Sequence, residues 1–175
     1  MRASNKKGKG KTALRKKKSA KSQIRQAQPS DFESIMEIEN ACFPGELAYS
    51  REQIKYLLFK ANGTSLVEEF DGEIRGYVTA LFRRNSSIGY IETIGVAPPC
   101  QGSGVGKRLL LAAEELMVNR GATSSRLEVS TGNRPAISMY ERIGYKITVT
   151  VPEYFIYKHN GTRSAYRMHK DLFSR

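Results

Sequence analysis

The spacing of apolar residues changes along the chain, and each change predicts a different element. In residues 105–116 the apolar side chains recur three and four positions apart, as on the buried face of an amphipathic helix. A similar spacing in residues 32–41 predicts an earlier helix. Between these helices, three short segments rich in β-branched and aromatic residues predict strands. They are Ser65–Phe70, Ile74–Phe82 and Ser87–Val96.

Capping residues and helix breakers complete this order. Asn133, followed by Arg134 and Pro135, predicts the start of a helix that ends near Gly144. The other predicted elements are a strand at Gln23–Gln26, helices from Gln28 to about Cys42, over Ser50–Ala61 and from about Gly104 to Arg120, and strands at Arg126–Val129, Tyr145–Val151 and Ser164–Asp171. The order β-α-α-β-β-β-α-β-α-β-β predicts a mixed α/β or α+β domain.

Positive charge is concentrated at the start of the chain. The first 25 residues hold eleven of the 29 Lys and Arg residues and no acidic residue, whereas the remaining 150 carry 18 basic and 17 acidic residues. Residues 1–22 also have few apolar side chains, so we expect a disordered basic arm followed by one folded domain over residues 23–173. The arm is either a solvated, solubilising segment or a contact to RNA or the ribosome through residues 1–25.

The cysteine content and the hydropathy of the chain bound its location. Two cysteines, Cys42 and Cys100, are too few for a disulfide scaffold and fit a reducing compartment, so we expect a cytoplasmic protein. No uncharged apolar run approaches the ~18–20 residues of a membrane span. The first residues lack the apolar core of a secretory signal. We therefore expect no membrane partner.

A glycine-rich segment, Gln101–Gly106, lies between a predicted strand and a predicted helix. Glycines let backbone N–H groups approach a ligand, and the start of a helix adds unpaired donors and a dipole that favours an anion. A Walker A loop requires Ser or Thr after Gly-Lys, where this chain has Arg108. The dinucleotide fingerprint requires a third glycine where this chain has Lys107. We predict a phosphate site of a different kind.

The residues around this loop resemble a known family. Ile91-Glu92-Thr93-Ile94-Gly95-Val96, a proline-containing loop and Gln101-Gly102-Ser103-Gly104-Val105-Gly106 are similar to the acetyl-CoA motif of the GNAT family of N-acetyltransferases. The similarity continues at Leu127–Val129, Asn133 and Met139–Tyr145, covers roughly residues 23–173, and is strongest to the RimI-type ribosomal-protein-alanine N-acetyltransferases. The resemblance implies the acyl-CoA N-acyltransferase fold, a bent mixed sheet flanked by helices, with acetyl-CoA as cosubstrate and no metal.

The resemblance also assigns residues to acetyl-CoA. It implies that the loop binds the diphosphate through Gln101, Gly102, Ser103, Gly104, Val105, Gly106 and Lys107. It places the pantetheine arm against the backbone of Ile94 and Val96, in the manner of an added strand. Asn133 is expected to contact the same arm while it caps its helix.

Acetyl transfer to an amine requires a general base for the protonated amine and a general acid for the departing thiolate. Glu128 alternates with apolar neighbours in a predicted strand, so its carboxylate projects from the opposite face. It is the first candidate for the base, and an ion pair with Arg126 is the structural alternative. The resemblance adds Glu92 as the rival base and Tyr140 as the acid, although Tyr140 also fits a buried core position.

The acceptor is inferred from the resemblance. Tyr154 and Phe155 precede the last predicted strand, where RimI-type enzymes carry an aromatic pair along the peptide channel. This implies a protein N-terminal α-amine as acceptor, such as that of a ribosomal protein. The alternatives are a lysine side chain, a small amine such as a polyamine or an aminoglycoside, and a non-catalytic module that binds RNA or the ribosome. His159 and His169 lack metal-ligand spacing, and we assign them no role.

Overall fold

The computed structural model describes residues 22–173, so the predicted basic arm lies outside the described residues except for Ser22. The strands are β1 (Gln23–Gln26), β2 (Gly63–Phe70), β3 (Glu73–Phe82), β4 (Ile88–Val96), β5 (Ser124–Ser130), β6 (Lys146–Val151) and β7 (Ala165–Asp171). The α-helices are α1 (Phe32–Cys42), α2 (Arg51–Phe59), α3 (Val105–Asn119) and α4 (Arg134–Ile143). Short 3-10 turns lie at Pro29–Asp31, Gly45–Leu47 and Pro98–Cys100. In this part of the chain no helix has the length and apolar character needed to cross a membrane.

The predicted order of elements is confirmed, and most boundaries shift by only one or two residues. Local capping explains this agreement. The Ser50 hydroxyl accepts from the Gln53 N–H at 3.2 Å, and the Gln53 side chain accepts from the Ser50 N–H at 2.8 Å. Gly144 ends α4 with a φ of 105°, a conformation that glycine adopts without strain.

The strands form one mixed sheet in the order β1-β2-β3-β4-β5-β7-β6. The neighbouring strands are antiparallel except for β4 and β5, which run parallel. This parallel pair is short, because only Ile88–Ile91 of β4 pairs with Ser124–Leu127 of β5. Beyond Ile91 and Leu127 the two strands no longer pair, although each keeps its other neighbour. The middle of the sheet therefore opens into a wedge.

Helices cover the two faces of the sheet unequally. On one face, α3 and α4 pack over the central strands through a large apolar cluster, which includes Leu109, Leu110, Met117, Leu127 and Met168. On the other face, α1 and α2 pack over β2, β3 and β4 through a smaller cluster that includes Ile35, Ile54 and Tyr77. Four side chains that β5 and β7 present on this second face are polar and partly exposed, namely Arg126, Glu128, Arg167 and His169. The wedge therefore leads onto an open polar surface.

Candidate active site

A cleft of about 1380 Å³ lies where β4 and β5 separate. Its walls come from the end of α1 and the following loop, β4, the start of α3, β5, α4 and the β6–β7 loop. Of the residues predicted for the site, those that line the cleft are Glu92, Ile94, Val96, Gln101, Gly102, Gly104, Val105, Gly106, Lys107, Glu128, Asn133, Tyr140 and Phe155. Ser103 and Tyr154 do not line it. Residues from six segments thus share one cavity.

The turn before α3 presents backbone donors to the cleft. Gly102 and Gly104 have φ values of 77° and 83°, which strain any residue with a side chain. Gly104 is the N-cap of α3, and no side chain caps the helix start. The first helical hydrogen bond runs from the Arg108 N–H to the Gly104 carbonyl at 3.0 Å. The preceding N–H groups of the first turn have no intrahelical partner and are available to an anion.

An ion pair between Arg108 and Glu68 stabilises this turn. Arg108 donates to both carboxylate oxygens of Glu68, at 2.9 and 2.7 Å, and to the Ser103 carbonyl at 3.1 Å. Glu68 is fully buried on β2, so this ion pair ties the turn to the sheet. The Ser103 hydroxyl is also engaged within the turn, where it donates to the Cys100 carbonyl at 2.6 Å. Lys107 is exposed and adds a positive charge beside the backbone donors.

Two predicted contacts for the pantetheine arm have definite partners in the structure. The Val96 carbonyl accepts from Gln101 Nε2 at 3.1 Å and from Cys42 Sγ at 3.2 Å, which ties the end of β4 to the turn and to α1. Asn133 caps α4, because its side-chain oxygen accepts from the Ala136 N–H at 3.3 Å. The predicted cap is confirmed, and contact of Asn133 with a ligand stays a prediction.

Glu128 projects from β5 into the cleft and is held by two arginines. Its Oε1 atom accepts from Arg126 Nε at 3.1 Å and from Arg167 Nε at 2.7 Å. The sequence had suggested Arg126 as a partner, whereas Arg167 comes from β7 and was not foreseen. The Glu128 side chain is 14% exposed, and within residues 22–173 nothing donates to Oε2. One oxygen is thus fixed by two cations while the other remains available.

Glu92, the rival base, has a neutral partner. The Tyr49 hydroxyl donates to Glu92 Oε1 at 2.8 Å, and burial, with the nearby Glu92 charge, raises the pKa of Tyr49 well above its ordinary value. The Tyr49 N–H in turn donates to the buried Glu39 at 2.8 Å. Burial raises the pKa of Glu39, which also accepts a hydrogen bond from Tyr77. Tyr49 was not among the predicted site residues, because it lies in an irregular loop without a recognisable motif.

Tyr140 faces the cleft from α4 with only 5% of its surface exposed. Its ring packs against Tyr145 with ring centroids 5.9 Å apart. Burial raises the pKa of Tyr140 to about 12, so the phenol keeps its proton at neutral pH. No residue in the described range hydrogen-bonds to its hydroxyl. A protonated and uncommitted phenol of this kind is suited to donate a proton to a ligand.

Aromatic side chains surround the far end of the cleft. Phe155 stacks on His159 at 4.1 Å between ring centroids, and Phe43 lies 6.3 Å from the same imidazole. Burial lowers the pKa of His159, which lines the cleft although no motif predicted it there. Tyr154 packs edge-on against Phe155 at 4.9 Å. Burial raises the pKa of Tyr154, and the charges of Glu128 and Glu92 raise it further.

The chain is similar to known acetyltransferases. A model of the acetyltransferase (GNAT) family matches residues 32–145, well over half of the chain. The mycothiol acetyltransferase of Saccharomonospora viridis is 28% identical over 138 residues, which are 71% of this chain and 45% of that protein. The chain spans less than half the length of the curated relatives it matches.

Solved structures share the fold. The ribosomal-protein-S18-alanine N-acetyltransferase of Escherichia coli superposes with a TM-score of 0.77 at 19% identity, over 89% of this chain and 96% of that one. An acetyltransferase of Bacillus subtilis in complex with CoA superposes with a TM-score of 0.68 at 19% identity, over 89% of this chain and 100% of that one. At this level of identity the likeness establishes the architecture.

Proposed function

Because the chain belongs to the acetyltransferase (GNAT) family, we propose that it transfers the acetyl group of acetyl-CoA to a primary amine, specifically the α-amine of a protein N-terminus. The observation that carries this proposal is a shared cavity. The donor-rich turn at Gln101–Lys107, two carboxylates and a protonated phenol all open into the wedge between β4 and β5. We name the region of that turn and the end of β4 the coenzyme half, and the region of Glu92, Glu128 and the β6–β7 loop the acceptor half.

The coenzyme half fits the shape and charge of coenzyme A. The free N–H groups at the start of α3 and the exposed Lys107 suit a diphosphate. The inner end of β4, residues 92–96, lacks a partner strand on the side of β5, so its backbone suits an extended pantetheine arm. This arrangement directs the thioester toward Glu128 and Tyr140, which line the same cleft.

The acceptor half supplies groups for the proton transfers. The amine must lose a proton as its nitrogen bonds to the thioester carbon, and the carbon–sulfur bond then breaks. We assign the first proton to Glu128, through Oε2 or an intervening water, with Glu92 as the alternative base. The departing thiolate takes a proton from Tyr140. The raised pKa of Tyr140 keeps its phenol protonated and neutral until that step.

An N-terminal α-amine suits this site better than a lysine amine. An α-amine has a pKa of about 7.7–8.0 against about 10.4 for lysine, so much more of it is already deprotonated at neutral pH. The aromatic group of Phe43, Phe155 and His159 offers a wall for the first side chain of a peptide. The fold likeness to an enzyme that acts on a ribosomal-protein alanine supports the same acceptor, and a ribosomal protein is the partner we propose.

A small amine is the second candidate. The sequence likeness to a mycothiol acetyltransferase covers 138 residues, more than the family match to residues 32–145. This likeness favours a non-peptide acceptor. The two candidates differ in what fills the aromatic end of the cleft, because a small amine leaves that end empty.

Acetylation assays on the full chain test the proposal. CoA release is measured with peptides of different first residues, the same peptides blocked at the N-terminus, lysine-containing blocked peptides, and free polyamines. We expect turnover only with free α-amines. Turnover on blocked lysine peptides or polyamines would reassign the acceptor, and absence of both acetyl-CoA binding and turnover in the folded protein would refute the enzymatic function.

A further inference from the structure

The polar face beside the acceptor half carries a row of arginines. In the strand pairing, Glu128 lies opposite Arg167 of β7, and Arg126 lies opposite His169 of β7 and level with Tyr90 of β4. Paired residues project from the same face of a sheet. Arg126 and Arg167 therefore flank Glu128 on the open surface onto which the cleft leads, and neither belongs to the core clusters.

Both arginines keep most of their donors unused. Each binds Glu128 Oε1 through Nε alone. In the described part of the chain, none of their Nη groups donates a hydrogen bond, and the two side chains are 25% and 32% exposed. One carboxylate thus faces two guanidinium groups, which leaves one positive charge uncompensated within this group of three residues. A guanidinium group presents paired N–H donors in a geometry that matches a carboxylate.

Arg126 is held in place for such a contact. Its guanidinium lies 5.0 Å from the centroid of the Tyr90 ring, and Arg83 lies 4.8 Å from the same ring. Contact with an aromatic face restricts the guanidinium without consuming its N–H donors. Asp171 lies on the same face one row beyond Arg126, on the side away from Glu128, so the donors nearest the cleft are those of Arg126 and Arg167.

The distance from the carboxylates defines what the arginines can reach. Arg126 and Tyr90 lie two residues along their strands from Glu128 and Glu92, a separation of about 7 Å. An extended peptide advances about 3.4 Å per residue, so Arg126 lies level with the second or third residue of a peptide whose amine is at the carboxylates. Arg167 lies opposite Glu128, one strand away from Arg126. We propose that Arg126, with Arg167 beside it on the same face, forms a subsite for an acidic side chain at the second or third position of the acceptor peptide. This inference rests on the proposed N-terminal acetyltransferase function.

Matched peptides test the subsite on the full chain. Peptides that share a productive first residue carry Glu, Gln or Lys at position two or three, and kcat/KM is measured for each. We expect Glu to exceed Gln by about tenfold, the ratio that corresponds to about 1.4 kcal/mol from a charge-assisted hydrogen bond. The ratio should fall as salt is added, because the partners are partly exposed.

Variants separate recognition from effects on Glu128. Arg126→Gln also removes a hydrogen bond to Glu128, and this affects turnover of every peptide alike. The readout is therefore the ratio of kcat/KM for the Glu peptide to kcat/KM for the Gln peptide within this variant. We expect that ratio to approach one. Arg126→Glu should reverse the preference toward Lys. Arg51→Gln is the matched control, because it removes an exposed arginine that pairs with Glu33 on the helices, and it should preserve the ratio.

Each remaining outcome decides against the subsite. Equal kcat/KM for Glu and Gln peptides in the unaltered protein, or a preference that survives in Arg126→Gln, overturns the inference while leaving the acetyltransferase function intact. Competitive inhibition by a short RNA that depends on Arg126, without a preference for Glu, would reassign this face to nucleic acid. Absence of turnover on every peptide overturns the proposed function, and the subsite with it.

Discussion

The coenzyme half and the acceptor half of the cleft are built in different ways. The coenzyme half uses backbone groups of consecutive residues, Gln101–Lys107, at the start of one helix. The acceptor half uses side chains from separate segments, among them Tyr49, Glu92, Glu128 and Arg167. A site built from backbone groups depends on the conformation of a few residues and tolerates substitution of most side chains. A site built from side chains changes its chemistry whenever one of those side chains is substituted. The fold can therefore retain one cosubstrate while its acceptor varies.

Removal of the proposed base should give the largest effect on turnover. This effect should arise in the acceptor half alone. Glu128→Gln keeps the shape of the side chain but removes its charge, so we expect kcat to fall by about 10²–10⁴-fold. The affinity for acetyl-CoA, measured by calorimetry, should stay within a factor of about three, since the coenzyme half is unchanged.

Glu92→Gln is the matched control for that variant. Tyr49 is a neutral donor and stabilises the Glu92 carboxylate less than two guanidinium groups stabilise that of Glu128. Glu92 is therefore also able to accept a proton, and the variant tests it as the alternative base. If Glu92→Gln abolished turnover while Glu128→Gln retained it, the base would be Glu92 and the arginines would serve only to hold Glu128.

Tyr140→Phe should give the next largest effect, a loss of about 10²-fold in kcat at every pH from 6 to 9. Its pKa of about 12 means that the phenol is protonated throughout this range, so Tyr140 should add no limb to the pH–rate profile there. Full turnover in the variant would show that Tyr140 is only a core residue.

The same raised pKa predicts how stability depends on pH. Below pH 10 Tyr140 is neutral in both folded and unfolded chains, so it causes no change in the free energy of unfolding. Between pH 10 and about 12 the unfolded chain ionises first, and the free energy of unfolding should decrease. Urea unfolding at pH 9 and pH 11 should show a smaller decrease in Tyr140→Phe, with the remainder arising from buried tyrosines such as Tyr145.

The smallest expected effect comes from the coenzyme half. Gly104→Ala places a side chain at a φ of 83°, and Gly121→Ala does the same at 85° just beyond the other end of α3. Both should lower the free energy of unfolding by about 1–2 kcal/mol. Gly104→Ala alone should weaken acetyl-CoA binding, by about tenfold, because relaxation of the turn misaligns its N–H donors. Equal coenzyme affinity in the two variants would argue against a diphosphate at this turn.

The secondary-structure elements and the glycine-rich turn could be predicted from short stretches of sequence. Caps such as Ser50 and Asn133, and glycines at positive φ such as Gly104, act within a few residues of themselves, so their effects can be recognised from local pattern. The family motif lies in the same short stretches, which is why the matched region includes both the turn and α4.

The partners of the candidate side chains, in contrast, come from distant parts of the chain. Arg167 lies 39 positions from Glu128, and Tyr49 lies 43 positions from Glu92, so neither pairing leaves a trace in local spacing. Strand order brings β7 beside β5, and packing of α1 on β4 brings the following loop beside Glu92. Contacts between distant segments depend on how the whole sheet assembles, and the period of hydrophobic residues fixes the face of a strand but not its neighbour.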